Sequence, residues 1–320
     1  MEFAVEKNAG SELLVGASGI ADAKSAGGKR RAFTVKSLRR IAMKHLYLNL
    51  KRFDIPVDLG GINRLAPVNE WGAYIVNHTQ EMLKCYDPKE VEFVQFFPEA
   101  HILNASAALC ENSPVQIGHQ GIYRMDTAVG GNFGAFTTNC PAAAAAAMNC
   151  TSVIIGHCEE RNDKMGILEE AGAADTAAVN RLLNQEIKQG IARGLHVLYC
   201  IGEKSEEQDK WQEVLRTQLE IGLEGVDKSK VVIAYEPIWS IGPGKTPADK
   251  PYITKIARFI KEVTGGIDVV YGGGLKKDNA EMLASIAEVD GGLIALTRFQ
   301  GEIGFYPEEY LEIIRRYLGK

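Results

Sequence analysis

Short apolar runs alternate along this chain with longer amphipathic segments. Most of the runs are continuous stretches of Val, Ile, Leu, Tyr and Phe, a pattern typical of strands buried on both faces of a parallel sheet. Eight of them predict β-strands, at His45–Leu50, Val91–Phe97, Val115–His119, Ser152–Gly156, His196–Ile201, Val231–Tyr235, Asp268–Tyr271 and Gly292–Leu296.

The segments between these strands predict helices. They lie at Trp71–Cys85, Glu99–Glu111, Pro141–Asn149, Asp175–Arg193, Glu206–Glu224, Pro247–Val263, Lys277–Ala287 and Pro307–Leu318. Strict alternation of eight strands with eight helices favours a closed (β/α)8 barrel over an open doubly wound sheet. A barrel of about 250 residues with additions accounts for most of the 320 residues, and we expect it to span residues 43–320.

Residues 1–42 show no comparable periodicity. They are rich in glycine and small residues and contain a basic stretch from Lys29 to Arg40. Three interpretations stay open: a mobile extension outside the fold, an organelle transit peptide, and a segment that precedes a natural start at Met43. We expect the first, since Glu2, Glu6 and Glu12 argue against a transit peptide.

Composition excludes several classes of partner. The chain has 36 basic and 41 acidic residues, and no basic block follows the first forty-odd residues, so we expect no nucleic acid partner. The longest apolar run, Ala142–Met148, is far shorter than the roughly 20 residues of a membrane span. Six cysteines without a Cys-x-x-Cys pair indicate reduced thiols in a cytoplasmic protein. Adjacent residues on a strand end point apart, so His157 and Cys158 are not expected to bind a metal, and no cofactor is predicted.

Reactive side chains in a parallel barrel lie where strands end. Four predicted strand ends carry such groups. They are Asn49-Leu-Lys51, Gly156-His-Cys-Glu-Glu-Arg161, Ala234-Tyr-Glu-Pro-Ile-Trp239 and Tyr271-Gly-Gly-Gly274. Asn49 and Lys51 are two residues apart, so both side chains can face inward from one strand end.

These strand ends resemble a known enzyme family. The stretch Ala-Tyr-Glu-Pro-Ile-Trp-Ser-Ile-Gly-Pro-Gly-Lys-Thr at 234–246 resembles the catalytic strand and lid of triosephosphate isomerases, and Ile-Gly-His-Cys-Glu-Glu-Arg at 155–161 resembles their histidine loop. Tyr199-Cys-Ile-Gly-Glu203 and Gly134-Ala-Phe-Thr137 match the fifth strand end and the third loop. The resemblance covers the chain from about His45 onwards and implies a TIM barrel that isomerises a small phosphorylated sugar.

The resemblance assigns the catalytic roles to Glu236, His157 and Lys51. Aldose–ketose interconversion moves a proton between adjacent carbons, and one carboxylate, Glu236, can act as the base for both transfers. His157 is expected to polarise the substrate oxygens as a neutral imidazole at a helix N-terminus, a pattern for which this family is the standard example. Lys51 supplies positive charge for the phosphate and the developing enediolate. The competing interpretations are an exposed loop carboxylate, a core histidine and a salt-bridging lysine.

Further residues receive supporting roles by the same resemblance. Asn49 donates a hydrogen bond to the substrate, with a structural turn as the alternative, and Glu159 holds Lys51. Cys158 supports the histidine loop, and Tyr271 receives the closed lid.

The lid, residues 237–246, combines Pro, two glycines and an apolar Trp/Ile tip, so it can hinge, cover the substrate and exclude water. The resemblance implies that the lid amide near Gly242 contacts the phosphate.

The phosphate-binding turns depart from the family pattern. A Gly-Gly-Ser turn reads Gly272-Gly-Gly274 here, so the hydroxyl is missing while the amides of Gly273 and Gly274 remain. A Gly-Gly pair aligns with Ala295-Leu296, whose side chains would crowd a phosphate near the backbone. Arg298 is predicted to compensate as a phosphate ligand, with a surface salt bridge as the alternative.

Three functions stay open. The first is interconversion of glyceraldehyde 3-phosphate and dihydroxyacetone phosphate. The second is isomerisation of a four-carbon ketose phosphate such as erythrulose phosphate, which the altered turns and the long first and third loops (52–70 and 124–138) favour. The third is a non-catalytic barrel that binds a phosphorylated ligand. In the family, the third loop inserts into a neighbouring subunit, so Phe136 and Thr137 predict a homodimer.

Overall fold

Eight parallel strands close into one barrel in the computed structural model, which describes residues 43–240 and 245–319. Each strand pairs with the next in the chain, and the last pairs with the first, which confirms the predicted (β/α)8 fold. The strands are β1 (Lys44–Asn49), β2 (Val91–Phe97), β3 (Val115–His119), β4 (Ser152–Ile155), β5 (His196–Ile201), β6 (Val231–Tyr235), β7 (Val269–Tyr271) and β8 (Gly291–Ile294). The predicted extension, residues 1–42, lies outside the described residues.

Helices cover the outside of the barrel. Those that the structure describes are α1 (Trp71–Leu83), α2 (Glu99–Ala107), α3 (Ala142–Ala147), α4 (Cys158–Glu170), α5 (Thr176–Ala192), α6 (Trp211–Gly222), α7 (Lys250–Thr264), α8 (Ala280–Ala284) and α9 (Pro307–Leu318). All eight predicted helices form, most of them shorter than predicted. The strict alternation is wrong, because α4 and α5 both lie between β4 and β5. No residue of α4 is fully buried, so it lacks the apolar stripe by which a sequence pattern predicts a helix.

Alternate strand residues face two different cores. One cluster fills the barrel interior and includes Tyr47, Phe96, Leu198 and Ala234, while the larger cluster lies between strands and helices. Burial on both faces explains the continuous apolar runs. The two-residue period also sets the site, because Glu236 lies two residues beyond the inward-facing Ala234.

An ion network holds β1 at the N-terminal end of the barrel. His45 is buried, and its Nδ1 and Nε2 lie 2.6 Å from Glu92 Oε1 and 3.0 Å from Asp268 Oδ2. Burial alone would lower the pKa of His45. Hydrogen bonds and charge from Asp268 and Glu92 outweigh it and raise that pKa to about 9. The network therefore contains a charged histidine at neutral pH.

Because of this network, we expect the free energy of unfolding to decrease as the pH rises into the alkaline range. A histidine whose pKa is raised on folding contributes fully below its unfolded value near 6.5, and the contribution is lost as pH rises through about 9. The difference corresponds to roughly 3 kcal/mol. The free energy of urea unfolding should fall between pH 6.5 and 10 in the wild type and much less in His45→Gln. His78→Gln, an exposed histidine on α1, is the control. Equal pH slopes in the wild type and His45→Gln would contradict this account.

Candidate active site

Glu236 is a buried carboxylate at the C-terminal end of β6. It is 2% exposed, and its Oε2 accepts a hydrogen bond of 3.1 Å from the backbone N–H of Cys158. Its Oε1 lies 3.3 Å from Nε2 of His157. Burial raises the pKa of Glu236, while His157 and the Cys158 amide oppose the shift without cancelling it. The result is a carboxylate with strengthened basicity, which suits proton transfer to and from carbon.

His157 is the N-cap residue of α4. Its Nδ1 accepts a hydrogen bond of 3.3 Å from the backbone N–H of Glu159. An accepting Nδ1 carries a lone pair, so this hydrogen bond assigns the ring proton to Nε2, the nitrogen that faces Glu236. The arrangement presents an N–H donor beside the carboxylate.

Lys51 adopts a left-handed backbone conformation with φ of +43°. Its N–H donates to Oδ1 of Asn49 over 3.1 Å, and Nε2 of Gln120 donates to its carbonyl over 3.1 Å. A left-handed non-glycine residue costs on the order of 1–2 kcal/mol, and such strain clusters at functional sites. Nζ then lies 2.8 Å from Oε1 of Glu159, so the predicted pairing of Lys51 with Glu159 is present.

Gln120 was missed as a site residue by the sequence analysis. Its amide also donates to the carbonyl of Phe96 over 3.1 Å, so it links the ends of β1, β2 and β3 beside Lys51. The lysine lies 69 residues away in the chain, and no local pattern indicates that contact.

Cys158 lies closer to His157 than expected. The prediction that these adjacent side chains point apart is wrong, because Sγ lies 3.7 Å from Nδ1. The reason is local: His157 caps α4 and Cys158 is its first residue, so the pair does not continue the strand geometry.

Two groups of side chains among the described residues have the spacing of metal ligands. One is His157, Cys158 and Glu236, and the other is Glu99, His119 and Cys140. Burial raises the pKa of Cys158 to about 12 and that of Cys140 to about 11. Both thiols are therefore protonated at neutral pH, which opposes metal binding because a cysteine ligand must be a thiolate.

Glu203 is a fully buried carboxylate that the sequence analysis quoted without assigning it a role. Its Oε1 accepts hydrogen bonds from Tyr235 Oη (2.8 Å), Trp239 Nε1 (2.8 Å) and Tyr252 Oη (3.0 Å). A buried carboxylate needs such donors to offset its lost hydration. Trp239 belongs to the predicted lid, Tyr235 to β6 and Tyr252 to α7. Through these hydrogen bonds Glu203 links the start of the lid to β6 and α7.

Tyr271 contacts both sides of the predicted lid. Burial raises the pKa of its phenol, and hydrogen bonds with the side chain of Ser240 and the backbone of Ala248 oppose that shift. Ser240 precedes residues 241–244 and Ala248 follows them. Gly242, the predicted phosphate contact of the lid, lies outside the described residues.

The glycines after β7 allow the backbone of that loop to lie directly against Glu236 and Tyr271. A Cβ added at Gly272 would lie 2.7 Å from Cγ of Glu236, and one at Gly273 would lie 2.3 Å from Oη of Tyr271. Both distances are below any ordinary contact. Gly274 has φ of +94°, in the left-handed region that favours glycine. Side chains at these positions would displace the base or the lid contact.

Arg298 pairs with α9. Its Nε and Nη2 donate to Oε1 of Glu309 over 2.8 and 2.7 Å, and its guanidinium carbon lies 3.8 Å from the ring centroid of Tyr306. This is the salt bridge that the sequence left open as the alternative. A phosphate contact by Arg298 stays a prediction. Ala295 and Leu296 follow β8 as half-buried side chains.

Comparison with known proteins gives consistent matches. A sequence profile of the family described as triosephosphate isomerase matches residues 69–315. The triosephosphate isomerase of Dictyoglomus turgidum is 28% identical over 253 residues, which cover 75% of this chain and 91% of that one. The triosephosphate isomerase of Pelodictyon phaeoclathratiforme is 34% identical over 204 residues, 60% of this chain and 74% of that one.

A solved structure shares the fold. The crystal structure of triosephosphate isomerase from Bartonella henselae superposes with a TM-score of 0.64 at 22% identity, covering 86% of this chain and 99% of that one.

Proposed function

Because this chain belongs to the triosephosphate isomerase family, we propose that it interconverts the aldose and ketose forms of a small sugar phosphate, with Glu236 as the base. The observation that carries the proposal is the buried Glu236 carboxylate 3.3 Å from Nε2 of His157. A base and a hydrogen-bond donor this close can act on the adjacent carbon and oxygen atoms of one substrate.

The proposed reaction proceeds through an enediolate. Glu236 removes the proton from the carbon next to the carbonyl, and the electron pair of that C–H bond becomes the new C=C bond. The carbonyl oxygen takes the displaced electron pair and is stabilised by the Nε2–H of His157. His157 then gives its Nε2 proton to that oxygen and takes the proton of the adjacent hydroxyl group, so the negative charge moves to the hydroxyl oxygen. Glu236 returns its proton to the former carbonyl carbon, which bonds it with the C=C electron pair. The second oxygen re-forms a C=O bond, so aldose and ketose interconvert without net oxidation.

Lys51 is proposed to supply the positive charge for the anionic substrate, together with a hydrogen bond from Asn49. Its strained backbone, held by Asn49 and Gln120, supports this role because strain of this kind accompanies preorganised sites. Glu159 orients Nζ in the free protein.

A lid of residues 237–246 is proposed to exclude water from the enediolate. Supporting this, Glu203 and Tyr271 hold the described residues on either side of 241–244. We propose phosphate contacts through the amides of Gly242, Gly273 and Gly274.

The substrate is proposed to be glyceraldehyde 3-phosphate and dihydroxyacetone phosphate. One observation favours a four-carbon ketose phosphate instead: half-buried side chains at Ala295 and Leu296 occupy the segment where the family pattern has glycines. The six cysteines are free, which supports the proposed cytoplasmic location. Among the described residues, no helix has the length and apolar character of a membrane span.

A homodimer is proposed from the third loop. Thr137 is exposed, and Phe133 and Val129 in the same loop expose 89% and 109% of their reference areas. An apolar loop tip of this kind is buried more favourably against a second copy than in water.

Replacing the base should abolish most of the activity. Glu236→Gln retains the shape but cannot accept a proton, so kcat for glyceraldehyde 3-phosphate should fall about 10²–10⁴-fold. Glu236→Asp withdraws the carboxylate by one methylene and should cost about 10²-fold. Glu213→Gln, an exposed glutamate on α6, is the matched control and should keep wild-type turnover. Wild-type kcat in Glu236→Gln would overturn the mechanism.

A substrate panel should separate the two candidate substrates. We expect saturation with glyceraldehyde 3-phosphate, and the kcat/KM for erythrulose phosphate should be at least tenfold lower if the pocket suits three carbons. Coupled assays with both purified compounds measure the ratio. If kcat/KM is instead tenfold higher for erythrulose phosphate than for glyceraldehyde 3-phosphate, the four-carbon sugar is the substrate that the altered turns accommodate.

Light scattering coupled to size-exclusion chromatography should give twice the chain mass of 35.0 kDa. Phe133→Ser, which reduces the exposed apolar area of the third loop, should shift the equilibrium towards the monomer. A monomeric mass for the wild type at micromolar concentration would refute the homodimer.

A further inference from the structure

The loop after β7 carries a lysine that the reaction described above does not use. The backbone N–H of Lys276 donates to Oδ1 of Asn279 over 2.7 Å, and its Nζ lies 4.1 Å from the ring centroid of Phe299. Phe299 lies in the segment that follows β8. The half-buried side chain of Lys276 therefore spans the loops after β7 and β8, at the end of the barrel where the strands terminate.

Neighbouring basic side chains are neutralised by carboxylates, and Lys276 is not. Lys277 Nζ lies 2.6 Å from Oε2 of Glu312, and Arg298 is held by Glu309. Within the described part of the chain, Nζ of Lys276 has no carboxylate within 4.0 Å. Burial lowers the pKa of Lys276, and the charge of Asp278 offsets this only in part. The ammonium group is thus partly desolvated, with an aromatic face as its contact and no salt-bridge partner among the described residues.

The glycine that replaces the serine of the family pattern lies against this side chain. A Cβ at Gly274 would lie 3.2 Å from Cε of Lys276, so the flexible lysine stem would shift by a few tenths of an ångström. The lysine stem therefore packs against the same turn that lacks the hydroxyl.

The same loop begins at the base. Gly272 abuts Glu236, and only three residues separate Gly272 from Lys276, so the Cα atoms of Gly272 and Lys276 are at most about 13 Å apart. Barrels of this topology frequently bind phosphate between the loops after the seventh and eighth strands.

We propose that Lys276 binds the phosphate group of the substrate and supplies the side-chain charge of that subsite. The inference rests on the proposed function. It also fits the β8 segment, where half-buried Ala295 and Leu296 replace the glycines of the family pattern and Arg298 is already paired with Glu309. An ammonium group on a flexible stem binds a phosphate oxygen as a point charge and needs no glycine pair.

Lys276→Met tests the proposal, since methionine keeps an unbranched stem against Phe299 and removes the charge. We expect the Kd for inorganic phosphate, measured by calorimetry, to rise at least tenfold, and kcat/KM for the sugar phosphate to fall at least tenfold. Lys277→Met removes a neighbouring ammonium group that is already paired and should change both values less than twofold. Lys276→Arg should recover part of the loss because it restores the charge.

An assay with unphosphorylated glyceraldehyde distinguishes loss of the Lys276 charge from structural damage to the active site. The slow isomerisation of glyceraldehyde should be unchanged in Lys276→Met, because this aldehyde has no phosphate to bind. Equal losses for the phosphorylated and unphosphorylated aldehydes would overturn the proposal, as would wild-type phosphate affinity in Lys276→Met. Should the methionine variant not fold, Lys276→Gln serves the same comparison.

Failure of the two proposals can be told apart. If the wild type isomerises a sugar phosphate and Lys276→Met matches it in kcat/KM and phosphate Kd, Lys276 is not the ligand and the proposed reaction stands. If the wild type isomerises neither sugar phosphate but phosphate affinity still falls in Lys276→Met, the phosphate subsite stands and the proposed reaction does not.

Discussion

The Glu236 carboxylate is almost fully buried, and its lost hydration must be offset within a few ångströms. The N-terminus of α4 provides that offset through the N–H of Cys158 and the ring of His157. A fuller set of donors would lower the pKa of the carboxylate and reduce its basicity, whereas fewer donors would raise that pKa further. The observed balance, burial dominant with two opposing contacts, requires α4 to begin at residue 158.

Other parts of the site follow from that placement. Since α4 begins beside Glu236, Glu159 in its first turn reaches Lys51 across the barrel mouth. The Cγ of Glu236 also excludes any side chain from Gly272, which explains why the loop after β7 starts with glycine. Lys51 in turn tolerates a left-handed backbone because Asn49 and Gln120 satisfy its peptide groups. These contacts meet at two residues, Glu236 and Lys51, through different atoms of each.

The sequence predicted the strands well because each is buried on both faces, and their alternation with helices sufficed for the fold. It failed for α4, whose polar surface has no apolar stripe even though its first residues hold the site together. Strand-end position and family resemblance predicted Glu236, His157 and Lys51 as site residues, and the structure places Glu236 beside His157. Roles for Glu203 and Gln120 were not predicted, because their partners lie on other strands and loops. Contacts between distant elements leave no spacing pattern in the sequence. The pairing of Arg298 with Glu309 likewise depends on where α9 packs.

The two ends of the barrel use charge in opposite ways. At the N-terminal end, His45 lies between two carboxylates, so its charge is compensated and contributes to folding. At the C-terminal end, Lys276 rests on an aromatic ring and has no salt-bridge partner among the described residues, an arrangement that gains little stability by itself. A cation–aromatic contact offsets only part of the cost of desolvating an ammonium group, so an anion arriving there replaces poor solvation with a direct charge pair. An unpaired basic side chain would therefore favour ligand binding at one end of the fold, while a compensated basic side chain stabilises the other.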